Sequence, residues 1–271
     1  MYGGTNNAHN GGVLRYVSIR HGGAEVAEGD EINGLSCGGV GSGTTLEYIE
    51  VIGNSDDGIE FFGGSVDLKY AAVSFCGDDG IDWDTGWSGK GQFWFVLCGD
   101  DAAGNGGEHD GAKPDDNTPS SNPLVYNATF IGSGQNAAAD IDNEHAILLR
   151  DGSRGTYANS IFTDFNKFAI QVEDVVDGVD SYSYLEAGEL ELKNNIWFNF
   201  GEGNELNAGA NGIIQATEGG NNPDCAALID HLITNGNTTE NPLLSGISRT
   251  DDGGLNPYPC LLYTSPSPRD S

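Results

Sequence analysis

The stretches that decide the fold are Leu46-Glu-Tyr-Ile-Glu-Val-Ile-Gly-Asn-Ser-Asp-Asp-Gly-Ile-Glu60 and Leu68-Lys-Tyr-Ala-Ala-Val-Ser-Phe-Cys-Gly-Asp-Asp-Gly-Ile-Asp82, which match each other 22 residues apart. A third copy continues with Phe95-Val-Leu-Cys-Gly-Asp-Asp101. Apolar and polar residues alternate within each copy, which is the two-residue rhythm of a β-strand, and a Gly-Asx turn closes it. The spaced leucines and internal asparagine of a leucine-rich repeat are missing.

One such unit cannot bury its apolar face alone, whereas stacked units build a continuous core. We therefore predict an all-β, right-handed parallel β-helix of about 22 residues per rung. Equivalent residues then stack in columns about 4.8 Å apart. Three stretches interrupt the rhythm and are expected to form loops: 102–123, 173–188 and 201–224.

The composition agrees with many short strands and turns, because 42 of the 271 residues are glycine. The net charge is −30 with only 11 Lys and Arg residues, which disfavours nucleic acid and anionic membranes as partners. Such acidity suits either a medium rich in divalent cations or simple solubility outside the cell. No run of about 18 apolar residues is present, so no membrane insertion is expected in this segment.

Both ends of the sequence have an unusual character. The start, Met1-Tyr-Gly-Gly-Thr-Asn-Asn7, does not have the pattern of a signal peptide. The last twelve residues, 260–271, resemble a translated sequencing adapter. We therefore expect residues 1–259 to be one β-helix domain, incomplete at both ends, and residues 260–271 to be a non-native tail.

Several motifs resemble a family of secreted bacterial β-helix proteins that are pectin-lyase-like in fold. They are Val13-Leu-Arg-Tyr-Val-Ser-Ile-Arg-His-Gly-Gly23, Gly39-Val-Gly-Ser-Gly-Thr-Thr-Leu-Glu-Tyr-Ile-Glu-Val51, Asp57-Gly-Ile-Glu-Phe-Phe-Gly-Gly64 and Gly89-Lys-Gly-Gln-Phe-Trp94. The family is common in marine Bacteroidetes, and many members carry a sorting domain for type IX secretion. The resemblance implies export to the extracellular space or the cell surface, and no established activity.

The repeat also predicts rows of carboxylates, which we take as candidate calcium ligands. Carboxylates stacked about 5 Å apart repel each other, and a hard cation with oxygen ligands would relieve that repulsion. The alternative for each aspartate is a hydrogen bond to its own turn. The proposed ligands are Asp56, Asp78 and Asp100 in one row, Asp57, Asp79 and Asp101 in a second, and Glu60 with Asp82 in a third.

Other candidates carry weaker signals. Trp87 lies in a Gly- and Ser-rich turn and Lys90 follows it, so we predict an exposed pair that could contact a glycan. Glu108-His109-Asp110 could bind a metal, although a histidine in a glycine-rich loop is usually solvated. Cys76 and Cys98 are 22 residues apart, which predicts a buried column of free thiols in preference to a disulfide.

Two functions remain open at this stage. The first is a non-catalytic module that binds glycan or calcium, or that serves as a rigid stalk. The second is a calcium-dependent polysaccharide lyase or glycoside hydrolase. The Asp-Asp-Gly unit recurs in successive rungs, which favours structure over a single active site, and no diagnostic catalytic motif is present. An enzyme should show one groove where acids converge with a cationic base and exposed aromatic side chains. A stalk should show even, shallow sides with carboxylates only in regular rows.

Overall fold

A computed structural model describes residues 4–24, 32–138 and 142–249, together with the backbone of 256–259. The predicted tail, 260–271, lies outside the described residues. The strands are β1 (Val13–Arg20), β2 (Leu35–Gly38), β3 (Thr45–Ile52), β4 (Ile59–Phe62), β5 (Asp67–Ser74), β6 (Ile81–Asp84), β7 (Lys90–Leu97), β8 (Glu108–Asp110), β9 (Leu124–Tyr126), β10 (Thr129–Ile131), β11 (His145–Arg150), β12 (Gly155–Ala158), β13 (Ile161–Thr163), β14 (Phe168–Val172), β15 (Leu190–Lys193), β16 (Ile196–Phe198), β17 (Ile214–Gln215), β18 (Leu244–Gly246) and β19 (Asn256–Pro259). The helices are α1 (Ser181–Glu186) and α2 (Ala226–Thr234).

The strands stack as parallel sheets along one axis. A seven-stranded sheet has the order β17-β14-β11-β8-β6-β4-β2. A ten-stranded sheet runs β1-β3-β5-β7-β10-β13-β16, with β9, β12 and β15 beside it. The chain passes alternately through the two sheets, so each circuit adds one rung. The right-handed parallel β-helix predicted from the repeat is confirmed, and only β18 and β19 pair in antiparallel fashion among the described strands.

A column of residues with left-handed backbone bends the long strands of the ten-stranded sheet. Tyr48, Tyr70 and Phe93 have φ angles of 55°, 61° and 58°, and their rings stack outside the solenoid. The Tyr48 and Tyr70 centroids lie 4.5 Å apart, as expected for equivalent positions of adjacent rungs. Because the bend resets the alternation, Leu46 and Ile49 both point inward. Simple two-residue alternation therefore holds only on each side of the bend.

The solenoid interior contains several stacked rings. Trp83 packs on His109 with centroids 3.5 Å apart, and Tyr157 OH lies 3.2 Å from Nε2 of the same histidine. Cys76 and Cys98 are buried free thiols, as predicted, and burial raises the pKa of Cys76 to about 11 and that of Cys98 to about 12. These thiols therefore act as small apolar side chains.

The three expected loops contain regular structure. The stretch 102–123 includes β8, so it supplies a rung of the seven-stranded sheet. The stretches 173–188 and 201–224 contain α1 and β17, and α2 follows. Among the described residues, neither helix is long and apolar enough to cross a membrane.

Candidate cation-binding cleft

The outer face of the seven-stranded sheet carries two columns of charged side chains. The inner-facing residues of its strands are apolar or aromatic, so the alternate residues must point outward. The first column contains Glu60, Asp82 and Glu108, because Glu60 pairs with Asp82 and the pairing of Trp83 with His109 puts Glu108 in the next rung. The second column consists of Phe62, Asp84, Asp110 and Arg150.

A cleft of about 330 Å³ opens where the turns enter this sheet, beside the first column. The turns before β4 and β6 bring Asp56-Asp57 and Asp78-Asp79 to its rim, because Gly58 N–H donates to Asp79 O in the next rung. The lining residues are Asn33, Asp56, Asp57, Glu60, Phe62, Asp78, Asp79, Asp82, Gly104, Asn105, Glu108 and Asp142. Eight carboxylates thus face one small volume, which is a donor set for a hard cation.

Two overlapping groups of carboxylates have the geometry of metal ligands. One oxygen each of Asp56, Asp57 and Asp78 lie within 4.8 Å of one another, and the same holds for Asp57, Glu60 and Asp82. Asp57 belongs to both groups. Its Oδ1 accepts a hydrogen bond from Asp79 N at 3.0 Å, and the carboxylate still offers a second oxygen.

Burial shifts the proton affinities of these acids upward. It raises the pKa of Asp57 to about 9, with the negative charge of Asp79 as the next cause. It likewise raises the pKa of Glu60 to about 7 and those of Asp79 and Asp82 well above their usual range. A carboxylate cluster with these pKa values holds protons near neutral pH unless another positive charge replaces them.

The positive charges lie in and beside the second column, and one of them, Arg150, also pairs with Glu108 at the end of the first column. Arg150 forms ion pairs with Glu108 and, at 2.6 Å, with Asp110. Lys113 Nζ lies 2.8 Å from Asp110 Oδ2. Burial opposes the charge of Arg150, but its hydrogen bond to Asp110 raises the pKa of the guanidinium still further.

Within the described part of the chain, neither lysine nor arginine forms an ion pair with Asp57, Glu60 or Asp82. Asn33 Nδ2 donates a neutral hydrogen bond to Glu60. These three carboxylates of the cleft therefore have no ion-pair partner among the described side chains.

The structure does not place Asp100 and Asp101 in this cleft, so their predicted equivalence to Asp78 and Asp79 was wrong. Both are exposed, and Asn105 takes the place of Asp79 in the next rung, since Gly80 N–H donates to Asn105 O. Asn105 follows Asp79 by 26 residues instead of 22. The additional residues carry the third Asp-Asp pair, Asp100-Asp101, out of register.

The glycan-contact pair predicted from the aromatic cluster is also corrected. Trp87 is 0% exposed, its indole N–H donates to Val66 O at 3.1 Å, and its ring stacks on Phe61. Gly86, with φ 89°, lets the turn fold back so that the indole enters the core. Lys90 is exposed at the start of β7, outside the cleft, and its glycan contact stays a prediction.

Sequence reasoning missed the role of Glu108 in the cleft. The triplet Glu108-His109-Asp110 was weighed as a joint metal site in a loop, but it forms β8 and its side chains alternate. His109 points inward and is 0% exposed, so the solvated histidine was the wrong expectation. Burial lowers the His109 pKa to about 3. The alternation of acid, histidine and acid in the sequence could have indicated a strand with its histidine inward and its two acids outward.

Comparison with known proteins gives the family of the chain. A family model described as a pectate-lyase-like beta helix domain matches residues 1–240. Searches of curated proteins and of solved structures gave no match. The matched span covers every strand of the two parallel sheets and the whole acidic cleft. The chain belongs to the family of pectate-lyase-like β-helix domains.

Proposed function

We propose that the protein is an extracellular, non-catalytic module that binds calcium in the acidic cleft and, through the bound cation, an acidic glycan. The observation that carries the proposal is the contrast between the two columns. Arg150 and Lys113 balance the second column, whereas Asp57, Glu60 and Asp82 are close together and largely buried. A divalent cation supplies the charge that the chain does not.

Calcium fits the donors better than a softer metal. It takes 6–8 oxygen ligands, whereas zinc and copper prefer nitrogen or sulfur. The only histidine in the neighbouring rung, His109, faces the core. The amide oxygen of Asn33, which also lines the cleft, is a further donor of the same chemical kind. A coordination sphere that is incomplete on its outer side would accept a carboxylate or hydroxyl of a glycan.

A lyase is the second candidate, since the fold family and the cation site are both compatible with it. A lyase also needs a base that can lose its proton. Arg150 is held in its charged form by Asp110, and Lys113 forms an ion pair with the same carboxylate. Lys69 lies over the Tyr70 ring on the other sheet. These placements support a binding role over an elimination reaction.

Calcium titration by isothermal calorimetry tests the cation site directly. We expect saturable heat with the metal-free protein, and loss of at least about tenfold in affinity for Asp57→Asn. Asp100→Asn is the matched control, because this exposed aspartate lies outside the cleft and its replacement should change nothing. Absence of calcium binding by the folded wild-type protein would refute the proposed function.

A turnover screen tests the absence of catalysis. Acidic plant and algal polysaccharides are incubated with the protein, with and without calcium, while reducing ends and unsaturated products are measured. We expect no turnover on any of them. Calcium-dependent formation of unsaturated ends that the Asp57→Asn variant does not show would replace the binding module with a lyase.

A further inference from the structure

Three side chains of the cleft form a hydrogen-bonded ladder across successive rungs of the seven-stranded sheet. Asp57 Oδ1 accepts a hydrogen bond from Asp79 N at 3.0 Å, and Asp79 Oδ1 accepts one from Asn105 N. Asn105 Oδ1 accepts the last one from His145 N at 3.1 Å. The backbone of the next rung thus fixes one atom of each side chain. The other atom remains available to the cleft, which all three side chains line.

The orientation of the Asn105 amide follows from its partner. A backbone N–H can only donate, so the atom that faces His145 N must be the oxygen of the amide. His145 Nδ1 lies 3.2 Å from the same oxygen, and His145 Nε2 contacts the side-chain amide of Gln215. His145 is buried, and burial lowers its pKa, so a neutral imidazole holds the amide in place. The Nδ2 group of Asn105 is therefore the part that is turned away from His145.

Asn105 differs from the other residues that line the cleft because its Nδ2 is an unused hydrogen-bond donor. The lining consists of eight carboxylates, one aromatic ring, one glycine and two asparagines. Asn33 Nδ2 already donates to Glu60. Asn105 Nδ2 donates to no atom of the described residues, although it shares the cleft with Asp79 and Glu108. Ionised carboxylates are acceptors only, so they cannot bind the oxygen of an anionic ligand.

The buried acids of the ladder indicate what such a ligand would meet. Asp57 is 8% exposed and Asp79 is 5% exposed, and among the described residues the second carboxylate oxygen of each accepts no hydrogen bond. A calcium ion that binds at these oxygens can accept one oxygen of a ligand carboxylate in its outer coordination sphere. The second oxygen of that carboxylate then needs a donor, since a buried acceptor without a partner is costly. Asn105 Nδ2 is available in the same cleft.

We infer that Asn105 determines the specificity of the cleft for uronate sugars, because its Nδ2 donates to the second oxygen of a carboxylate whose first oxygen binds the calcium ion. This inference rests on the proposed function and adds to it the residue that recognises the acidic group. His145 is a positioning residue, because it fixes the Asn105 amide and does not line the cleft.

The experiment measures two affinities by calorimetry. They are the affinity of the metal-free protein for calcium and, in saturating calcium, its affinity for trisaccharides of galacturonate, glucuronate or mannuronate. Asn105→Asp keeps the oxygen that accepts the His145 N–H, as Asp57 and Asp79 do in their own rungs, so its Tm should match that of wild type. Its calcium affinity should not fall. Its affinity for the best trisaccharide should fall at least about tenfold, because an acceptor replaces the donor.

Ser36→Asp is the matched control for the added charge. Ser36 is exposed and is the register partner of Glu60 at the other end of the first column, so the variant adds the same charge without removing the donor. It should keep the trisaccharide affinity within about twofold. The methyl esters of the trisaccharides should bind wild type at least about tenfold less tightly than the acids.

Four results would overturn the inference while calcium binding persists. They are an unchanged trisaccharide affinity in Asn105→Asp, an equal loss in Ser36→Asp, equal binding of esters and acids, and binding of none of the trisaccharides by wild type. Absence of calcium binding by wild type is a different failure, since it concerns the proposed function.

Discussion

Replacing Asp82 with Asn tests whether the cleft is a cation site held together by charge. Asp82 forms one ligand group with Asp57 and Glu60, whose oxygens lie within 4.8 Å of each other. At an effective dielectric constant of about 20, two unit charges at that separation repel by about 3 kcal/mol. Burial and the charge of Asp57 raise the Asp82 pKa, so the calcium-free protein relieves this repulsion by binding protons.

The neutral amide should therefore cost little stability in the absence of calcium. It keeps the side-chain oxygen that accepts the Trp83 N–H at 2.6 Å, and it removes one ionisable group from the cleft. The same change should abolish stabilisation by calcium. A ligand at about 100 times its dissociation constant stabilises a protein by about 2.7 kcal/mol. For a chain of this size that free energy corresponds to a rise in Tm of about 5–10 °C.

The assay is differential scanning calorimetry in EDTA and in millimolar calcium. We expect the wild-type Tm to rise by that amount in calcium, and the Asp82→Asn Tm to stay constant. Asp100→Asn should behave as wild type, although the repeat alone would have placed it among the ligands. The reasoning fails if wild type melts at the same temperature in both buffers, or if Asp82→Asn keeps the full rise.

Three further predictions concern the solenoid core and the contacts that Arg249 makes with it. Burial lowers the His109 pKa to about 3, below its usual 6.5. Between pH 6.5 and 3 the unfolded chain therefore binds more protons at His109 than the folded chain does. The free energy of unfolding should thus be unaffected by His109 above pH 6.5 and should fall as the pH is lowered toward 3. A His109 imidazole NMR resonance that titrated between pH 7 and 5 would disprove this prediction. Trp87→Ala should lower the free energy of unfolding by about 3–5 kcal/mol in urea denaturation, whereas a loss below about 1 kcal/mol would contradict its burial. Arg249 donates to Cys98 O at 3.3 Å and contacts Asp164 at 2.7 Å. Arg249→Ala should lower the free energy of unfolding by about 1–3 kcal/mol and speed hydrogen exchange near Asp164. Unchanged exchange there would argue against a stabilising role of the Arg249 contacts.

The fold was predictable because a repeat of fixed length places equivalent residues of successive rungs in contact. Identical spacing between Leu46 and Leu68, and between Asp57 and Asp79, requires identical positions in adjacent rungs, and the strand register has these pairs in contact. The carboxylates of the first two rungs were predictable for the same reason. Their assignment needed only the period and the direction in which alternate side chains point.

The other features of the site and of the core could not be predicted, because they depend on residues that depart from the repeating pattern. A shift of the period from 22 to 26 residues changed which residue follows Asp79 in the column, and the sequence offers no marker for where the additional residues bulge. Trp87 was misplaced because its turn resembles an exposed one, and only the core shows the space for an indole. The bend at Tyr48 depends on an unusual φ for a tyrosine, which local propensity does not favour.

The limits of the acidic column bear on the choice between the proposed cation site and a passive stalk. A stalk stabilised by regular rows of acids should continue the row through many rungs. Here the position of Glu60 is occupied by Ser36 in the preceding rung, and Leu148 follows Glu108 at the other end. The charged column is thus bounded on both sides by uncharged residues. Since each additional acid adds repulsion and little packing, a short run ended by Ser and Leu favours a discrete cation site over a property of the whole solenoid.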